Sequence, residues 1–308
     1  MGCAGGIDFT ATLPLSREAV PAGFTTLKLT LKGLKGGHSG AISTSVWATQ
    51  ANCWCASCLS TLTPRPASAG FHRGTLRNAI PREAIATLAI AADKADALKA
   101  AAQEFLATIQ FELSAVEKKI AFVVEAAEST AKALGKDSQS KFIALLNATP
   151  NGVIRMSDDV KGVVETSLNV GVVTMKDDEV AINSLIRSLI DSGKEYVVSM
   201  LNSLGELAGA KNLAKGSYPG WKPEPSSPVM KLVRETYETL FSKTPNIMVI
   251  HAGLECGLFK KPYPDMDMVS IGPTITGPHS PDEQVEIASV ELYWKLLTAL
   301  LKAIPERN

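Results

Sequence analysis

The sequence has little of what marks membrane, nucleic-acid-binding or disulfide-linked proteins. No apolar run reaches the roughly 20 residues that a helix needs to cross a bilayer. The 31 basic and 31 acidic side chains cancel, and no basic stripe indicates a nucleic-acid or membrane partner. Five cysteines, an odd number, do not indicate a disulfide framework. Because residues 1–16 also lack a basic segment followed by an apolar core, we predict a cytoplasmic protein.

Periodic patterns in the first two thirds of the chain predict a mixture of strands and helices. The predicted strands cover residues 25–33, 163–175 and 180–187, the last two joined as a hairpin, and the predicted helices cover residues 93–126, 138–146 and 196–207. A strand followed by a helix occurs at residues 84–109 and again at 181–204. This faint internal repeat predicts two copies of one strand–helix unit in one sheet.

A proline-rich stretch at residues 218–225 predicts a domain boundary, after which the pattern changes to α/β. The expected elements there are a helix opened by Ser227 and Pro228, strands at residues 246–250 and 266–271, and a helix over residues 285–304 opened by a capping box at 280–283. A sheet usually has about four to six strands, so two strands indicate only half of an α/β domain.

Residues that carry chemistry are scarce, and each has an ordinary structural alternative. The chain has four histidines, and His279 precedes a predicted helix start after a run of glycine and proline, where it is either a metal ligand or an exposed loop residue. His38 lies among glycines and is a candidate donor to an oxyanion. Arg187 lies in an apolar strand, where its charge needs an anionic ligand or an acidic partner in a structural ion pair.

Three of the five cysteines, Cys53, Cys55 and Cys58, lie in one short window with two tryptophans. A metal or redox site is one interpretation of this cluster. It lacks the second pair of ligands that zinc sites of this spacing use, which argues against that interpretation.

Several motifs, in order along the chain, resemble the bacterial aminoacyl-histidine dipeptidase family, the peptidase D family of carnosinase-like zinc peptidases. They are GIDFTATLPLSREAVPAGFTTLKLTLKGLKGGHSG, GTLRNAIPREA, VVETSLNVGVVTM, IRSLIDSGKEYVVSML, YPGWKP and HAGLECGLFKKPYPDMDMVSIGPTITGPHSPDEQV. The resemblance covers nearly the whole chain except residues 41 to about 70.

The resemblance implies an α/β catalytic half-domain plus an α+β lid (dimerisation) domain. Residues 1–8 would be a remnant of the catalytic domain, 9–215 the lid, and 216–308 the C-terminal part of the catalytic domain. It also implies hydrolysis of dipeptides, Xaa-His among them, by a water that two zinc ions per subunit activate, in a homodimer formed through the lid. By the same resemblance the site residues are His38 as a catalytic group, Arg187, Asn78, His251 and Glu255 as substrate-binding groups, and His279 as a metal ligand.

Two departures from the family qualify these expectations. Relatives carry the other metal ligands and the general-base glutamate upstream of the segment that begins this sequence, so we expect a truncated chain that retains no zinc pair and has little activity alone. The alternative is a non-catalytic fragment or pseudogene product that keeps a dimerising lid. Residues 41–70 match the family better after a one-base frame shift, and we expect this window to pack poorly.

Overall fold

The computed structural model describes residues 1–39, 66–276 and 283–304. Its main element is an antiparallel sheet that has nine strands among these residues. The strands of this sheet are β1 (Gly5–Pro14), β3 (Phe24–Lys32), β5 (Ala67–Arg73), β7 (Ala84–Ala91), β8 (Ala121–Ala126), β10 (Gly152–Met156), β11 (Val164–Met175), β12 (Glu179–Ser188) and β13 (Lys211–Tyr218). Two short pairs lie outside it, β2 (Arg17–Ala19) with β9 (Lys132–Leu134) and β4 (Gly37–His38) with β6 (Ala79–Ile80).

The sheet consists of two halves with the same connectivity. The strand order is β13-β1-β12-β11-β5-β7-β3-β8, with β10 beside β11. In one half β7 leads through a short 3-10 turn into helix α1 (Ala95–Glu112) and then β8, and in the other β12 leads into helix α3 (Asp191–Ala208) and then β13. The predicted repeat of a strand–helix unit within one sheet is confirmed.

The two faces of the sheet differ because side chains alternate along each strand. One face carries the apolar residues and packs against α1, α2 (Lys136–Ala148) and α3 in one large core. The largest fully buried side chains in this core include Phe142, Leu98 and Leu88. In the half formed by β13, β1, β12 and β11, the opposite face carries polar residues, which include Asp8, Asn169 and Arg187.

The C-terminal part forms a smaller unit of helices α4 (Pro228–Phe241), α5 (Glu255–Lys260) and α6 (Ile287–Ala303), with a short strand pair, β14 (Ile275–Thr276) and β15 (Gln284–Val285). Helix α4 begins as predicted, because the Ser227 side chain accepts a hydrogen bond from the Met230 N–H. Cys3 joins this unit to the start of the chain, since it forms isolated bridges with both Ile250 and Trp221.

Four predicted elements differ from the structure. The helix expected over residues 93–126 ends at Glu112, and residues 121–126 form β8, because their apolar, β-branched run pairs with the edge of β3. Residues 246–250 and 266–271 form no strand in the described structure, apart from the single bridge at Ile250. The last helix begins two residues later than expected because residues 284–285 pair with β14.

The window at residues 41–70 is described only from residue 66 onward. Residues 67–70 belong to β5, and Ser68 is buried there, with its N–H donating to Gln139. The expectation of poor packing is wrong for these residues, whereas Cys53, Cys55 and Cys58 lie outside the described residues. The proposed domain boundaries remain predictions. Among the described residues no helix has the length and apolar character to cross a membrane.

Candidate functional site

A row of side chains crosses the polar face of the sheet at the ends of four neighbouring strands. The strand register places Tyr218 beside Gly6, Gly6 beside Arg187, and Arg187 beside Ser167. Residues that pair directly across an antiparallel sheet project from the same face. The row therefore brings a guanidinium, a phenol and a hydroxyl together on one surface.

Arg187 is buried yet has no acidic partner in the described part of the chain. Its Nη1 donates to the Tyr218 hydroxyl at 3.1 Å, whereas its buried Nε has no hydrogen-bond partner among the described residues. A charged group without a counter-ion in such a place is costly unless an anion binds it. Of the two alternatives for Arg187, the anionic ligand fits this environment and the structural ion pair does not.

The position of Tyr218 follows from two neighbours. Its backbone carbonyl accepts a hydrogen bond at 2.6 Å from Nζ of Lys194, a buried α3 residue that also pairs with Asp191 at 2.9 Å. Its ring crosses over Gly6, where an added Cβ would lie only 2.5 Å from the Tyr218 hydroxyl oxygen. The glycine thus leaves the room that lets the phenol reach Arg187.

His251 comes from the C-terminal unit and closes over the same row. Its Nε2 is 2.7 Å from Oγ of Ser167, the residue opposite Arg187. Burial, together with the positive charge of Arg187, lowers the pKa of His251 from 6.5 to about 4, and the Val164 backbone acts in the opposite direction. The imidazole is therefore neutral at physiological pH and adds no second positive charge beside Arg187.

A loop between β5 and β7 lies over the next row of the same face. Asp8 and Asn169 both pair with Leu185, two residues from Arg187 along β12. Asp8 forms an ion pair with Arg77 at 2.6 Å, and Asn169 donates hydrogen bonds to the backbone of the same loop. The loop contains Asn78, one of the predicted site residues.

The structure brings some of the predicted site residues together and not others. Arg187 and His251 meet, and exposed Asn78 lies on the loop beside them. The backbone of His38 pairs with Ala79, next to Asn78, whereas His279 lies outside the described residues. Glu255 is exposed in the first turn of α5, and among the described residues no hydrogen bond or ion pair joins it to Arg187 or His251.

Sequence reasoning missed four polar members of this surface: Asp8, Ser167, Asn169 and Tyr218. Ser167 and Asn169 occur at alternate positions of β11, on either side of Leu168, and Asn169 lies between Leu168 and Val170, which both face the core. Polar residues at period two within a buried strand were the available signal.

A metal centre can be tested against the donors that the described residues supply. Within residues 1–39, 66–276 and 283–304, no three His, Cys, Asp or Glu side chains come close enough to hold a metal ion. The buried imidazole of His251 already bonds to Ser167. The residues described here do not fit a zinc pair, and we derive no chemical step through one.

Comparison with known proteins identifies relatives that match the whole chain. No family model matches the chain. Over 311 aligned residues, which cover the whole chain, the sequence is 64% identical to the cytosol non-specific dipeptidase of Escherichia coli strain K12. The crystal structure of aminoacylhistidine dipeptidase from Vibrio alginolyticus matches all of the chain with a TM-score of 0.91 and 50% sequence identity. Over its whole length the chain is similar to these two dipeptidases.

The chain spans 64% of the length of the Escherichia coli dipeptidase and 63% of the Vibrio alginolyticus dipeptidase. The mixed α/β fold predicted from the sequence is confirmed by the structural match over the whole chain. The polar row of Tyr218, Arg187 and Ser167 therefore lies within the region over which the chain is similar to the two dipeptidases.

Proposed function

We propose that this chain, by its resemblance to these dipeptidases, takes part in metal-dependent dipeptide hydrolysis but has little activity alone, and that its polar sheet face binds the free carboxylate of the dipeptide. The observation that carries this proposal is the buried guanidinium of Arg187, for which the described residues supply neither an acidic partner nor a hydrogen-bond partner of Nε. A carboxylate fits such a group because it accepts two parallel hydrogen bonds from one guanidinium. Both relatives are named as dipeptidases, which agrees with a small substrate that ends in a carboxylate.

The neighbours of Arg187 support this role by position and charge. Tyr218 holds one nitrogen of the guanidinium and leaves the Nε edge for a ligand. His251 and Ser167 screen the site from water, and the neutral imidazole leaves Arg187 as the centre of positive charge in the row. An ion pair is stronger where water is excluded.

The spacing of the rows also suits a dipeptide. The row of Asp8 and Asn169 lies two residues from the row of Arg187, which is about 7 Å along a strand. An extended dipeptide spans at most about 7 Å. A carboxylate bound at Arg187 would place the peptide bond between the two rows, below the loop that carries Asn78.

The finer parts of the proposal extend the family resemblance. The resemblance implies two zinc ions per subunit with His279 as one ligand, although we do not expect this chain alone to retain the pair. It also implies His38 as a group that reaches the reacting carbonyl, Asn78, His251 and Glu255 as substrate contacts, and a homodimer formed through the lid, and we propose a cytoplasmic location. The name of the Escherichia coli relative agrees with the location.

Calorimetric titration with a dipeptide and with its C-terminal amide tests the carboxylate site. We expect Arg187→Met to weaken dipeptide binding about 10- to 100-fold, because a hydrogen bond to a charged group contributes about 1.5–3 kcal/mol. The amide should bind weakly to both proteins. Arg234→Met is the matched control, since Arg234 forms only an exposed ion pair with Glu238 on α4.

Equal affinity for the acid and the amide in the unsubstituted protein would refute the carboxylate site. Hydrolysis, followed by the release of free amino acids with zinc added, separates the two functions that the sequence left open. Turnover supports the dipeptidase, whereas dipeptide binding without turnover supports a non-catalytic role.

A further inference from the structure

We propose that Asn169 is a positioning residue that holds the loop of residues 77–79, and with it strand β4, over the carboxylate site. This proposal rests on the proposed function only where it concerns the dipeptide. The contact between the Asn169 side chain and the loop of residues 77–79, here called the anchor, is a structural property that can be measured without any substrate.

The side chain of Asn169 joins two carbonyl groups that flank Asn78. Its Nδ2 donates to the Arg77 carbonyl at 2.7 Å and to the Ala79 carbonyl at 3.0 Å. Both hydrogens of one amide group are thus used on one loop. Asn169 is also buried, so the replacement of its amide would leave two carbonyls without a partner where water is largely excluded.

Two further contacts fix the loop at the same place. Arg77 forms the ion pair with Asp8, whose side chain projects from the same face as Asn169. Gly171, at the bulge of β11, lies so close to the loop that an added Cβ would be 2.5 Å from the Arg77 Cα. The loop therefore touches the sheet through backbone, amide and ion pair together.

The anchor extends through the loop to β4. Ala79 pairs with His38, and the Ser39 N–H donates to the Asn78 carbonyl at 3.0 Å. A shift of residues 77–79 would consequently move the backbone of β4. Asn169 thus positions both segments that carry the predicted groups Asn78 and His38, although it touches the backbone alone.

The location of Asn169 connects this anchor to the carboxylate site. Ser167 lies two residues earlier on β11, opposite Arg187, and projects from the same face. Strand β11 therefore carries both Ser167, which lies at the carboxylate site, and Asn169, which sets the distance between the loop and the sheet. A dipeptide bound at Arg187 would meet the loop at the position that Asn169 sets.

The experiment compares Asn169→Leu and Asn169→Asp with Asn183→Leu. Asn169→Asp keeps the size of the side chain, whereas Asn169→Leu is somewhat larger and apolar, and both replacements remove the two donors. Asn183 is a matched control, because it projects from the same face of β12 and bonds to the Thr10 side chain instead of to a loop. Hydrogen exchange is measured at the amide of Ser39, with the core amide of Ile182 as a reference for global opening, and dipeptide affinity is measured by calorimetry.

We expect the Ser39 amide to exchange about 10- to 100-fold faster in both Asn169 variants, relative to Ile182, and dipeptide affinity to fall in parallel. Asn183→Leu should change neither the exchange rate of Ser39 relative to Ile182 nor the dipeptide affinity. An unchanged Ser39 ratio overturns the anchor, and faster exchange with unchanged affinity overturns its role toward substrate. If the unsubstituted chain binds no dipeptide, the proposed function fails, and the exchange ratio still decides the anchor.

Discussion

Gly6→Ala should disrupt the carboxylate site through Tyr218 without touching Arg187 directly. Gly6 has neighbours on both sides, Tyr218 in β13 and Arg187 in β12. A Cβ at this position would lie 2.5 Å from the Tyr218 hydroxyl oxygen and 2.6 Å from its Cζ. Ordinary contacts between such atoms are about 3.5–4.0 Å, so the ring must move.

The magnitude combines two effects. Overpacking of a tight site costs about 1–3 kcal/mol. Displacement of the ring also breaks the 3.1 Å hydrogen bond from Arg187, and a hydrogen bond to a charged group contributes about 1.5–3 kcal/mol. We expect Gly6→Ala to lower the free energy of unfolding by about 2.5–6 kcal/mol and to weaken dipeptide binding.

Urea denaturation followed by circular dichroism measures this loss, and two further variants identify its cause. Gly70→Ala is the control, because a Cβ there meets only Thr87 at 3.6 Å, and we expect a change below about 1 kcal/mol. In a Tyr218→Ala background the ring is absent, so Gly6→Ala should cost little. A cost as large as in the original background would refute the argument that the ring is the obstacle.

Two more predictions concern the C-terminal unit. Folding lowers the pKa of His251 from 6.5 to about 4, so between these pH values the unfolded chain binds a proton that the folded chain does not. The contribution to stability should therefore be full above pH 6.5 and fall by up to about 3 kcal/mol toward pH 4. Urea denaturation at a series of pH values should show a smaller loss of stability in His251→Gln. Ser227→Ala should lower the stability of the C-terminal unit by about 1 kcal/mol through loss of the α4 cap, measured by thermal denaturation, and no change would show that the cap contributes nothing.

Local patterns predicted the elements whose partners are near in sequence. The hairpin of β11 and β12 pairs across a short polar turn, and the cap of α4 is formed by the residue before the helix. The repeated strand–helix unit was visible for the same reason, because each copy is continuous in sequence. The predicted resemblance was confirmed by two relatives that match the whole chain.

Two segments whose partners are distant in sequence were mispredicted. Residues 121–126 continue a helical spacing of apolar residues, yet they pair with β3, about ninety residues earlier, and their neighbour decides their conformation. Residues 246–250 have the composition of a strand, but only Ile250 finds a strand-like partner, at Cys3.

The sequence by itself determined the candidate residue Arg187, because a charged group within an apolar strand stands out, whereas Asn78 and His251 were indicated by the family resemblance. The tertiary structure alone decided which of them meet. Register across the strands placed Gly6, Arg187 and Ser167 in one row, and the C-terminal unit carried His251 onto it. The contacts of Gly6 with Arg187 and of Ser167 with His251 join residues more than eighty positions apart, and their geometry depends on backbone pairing and packing, which no local pattern records.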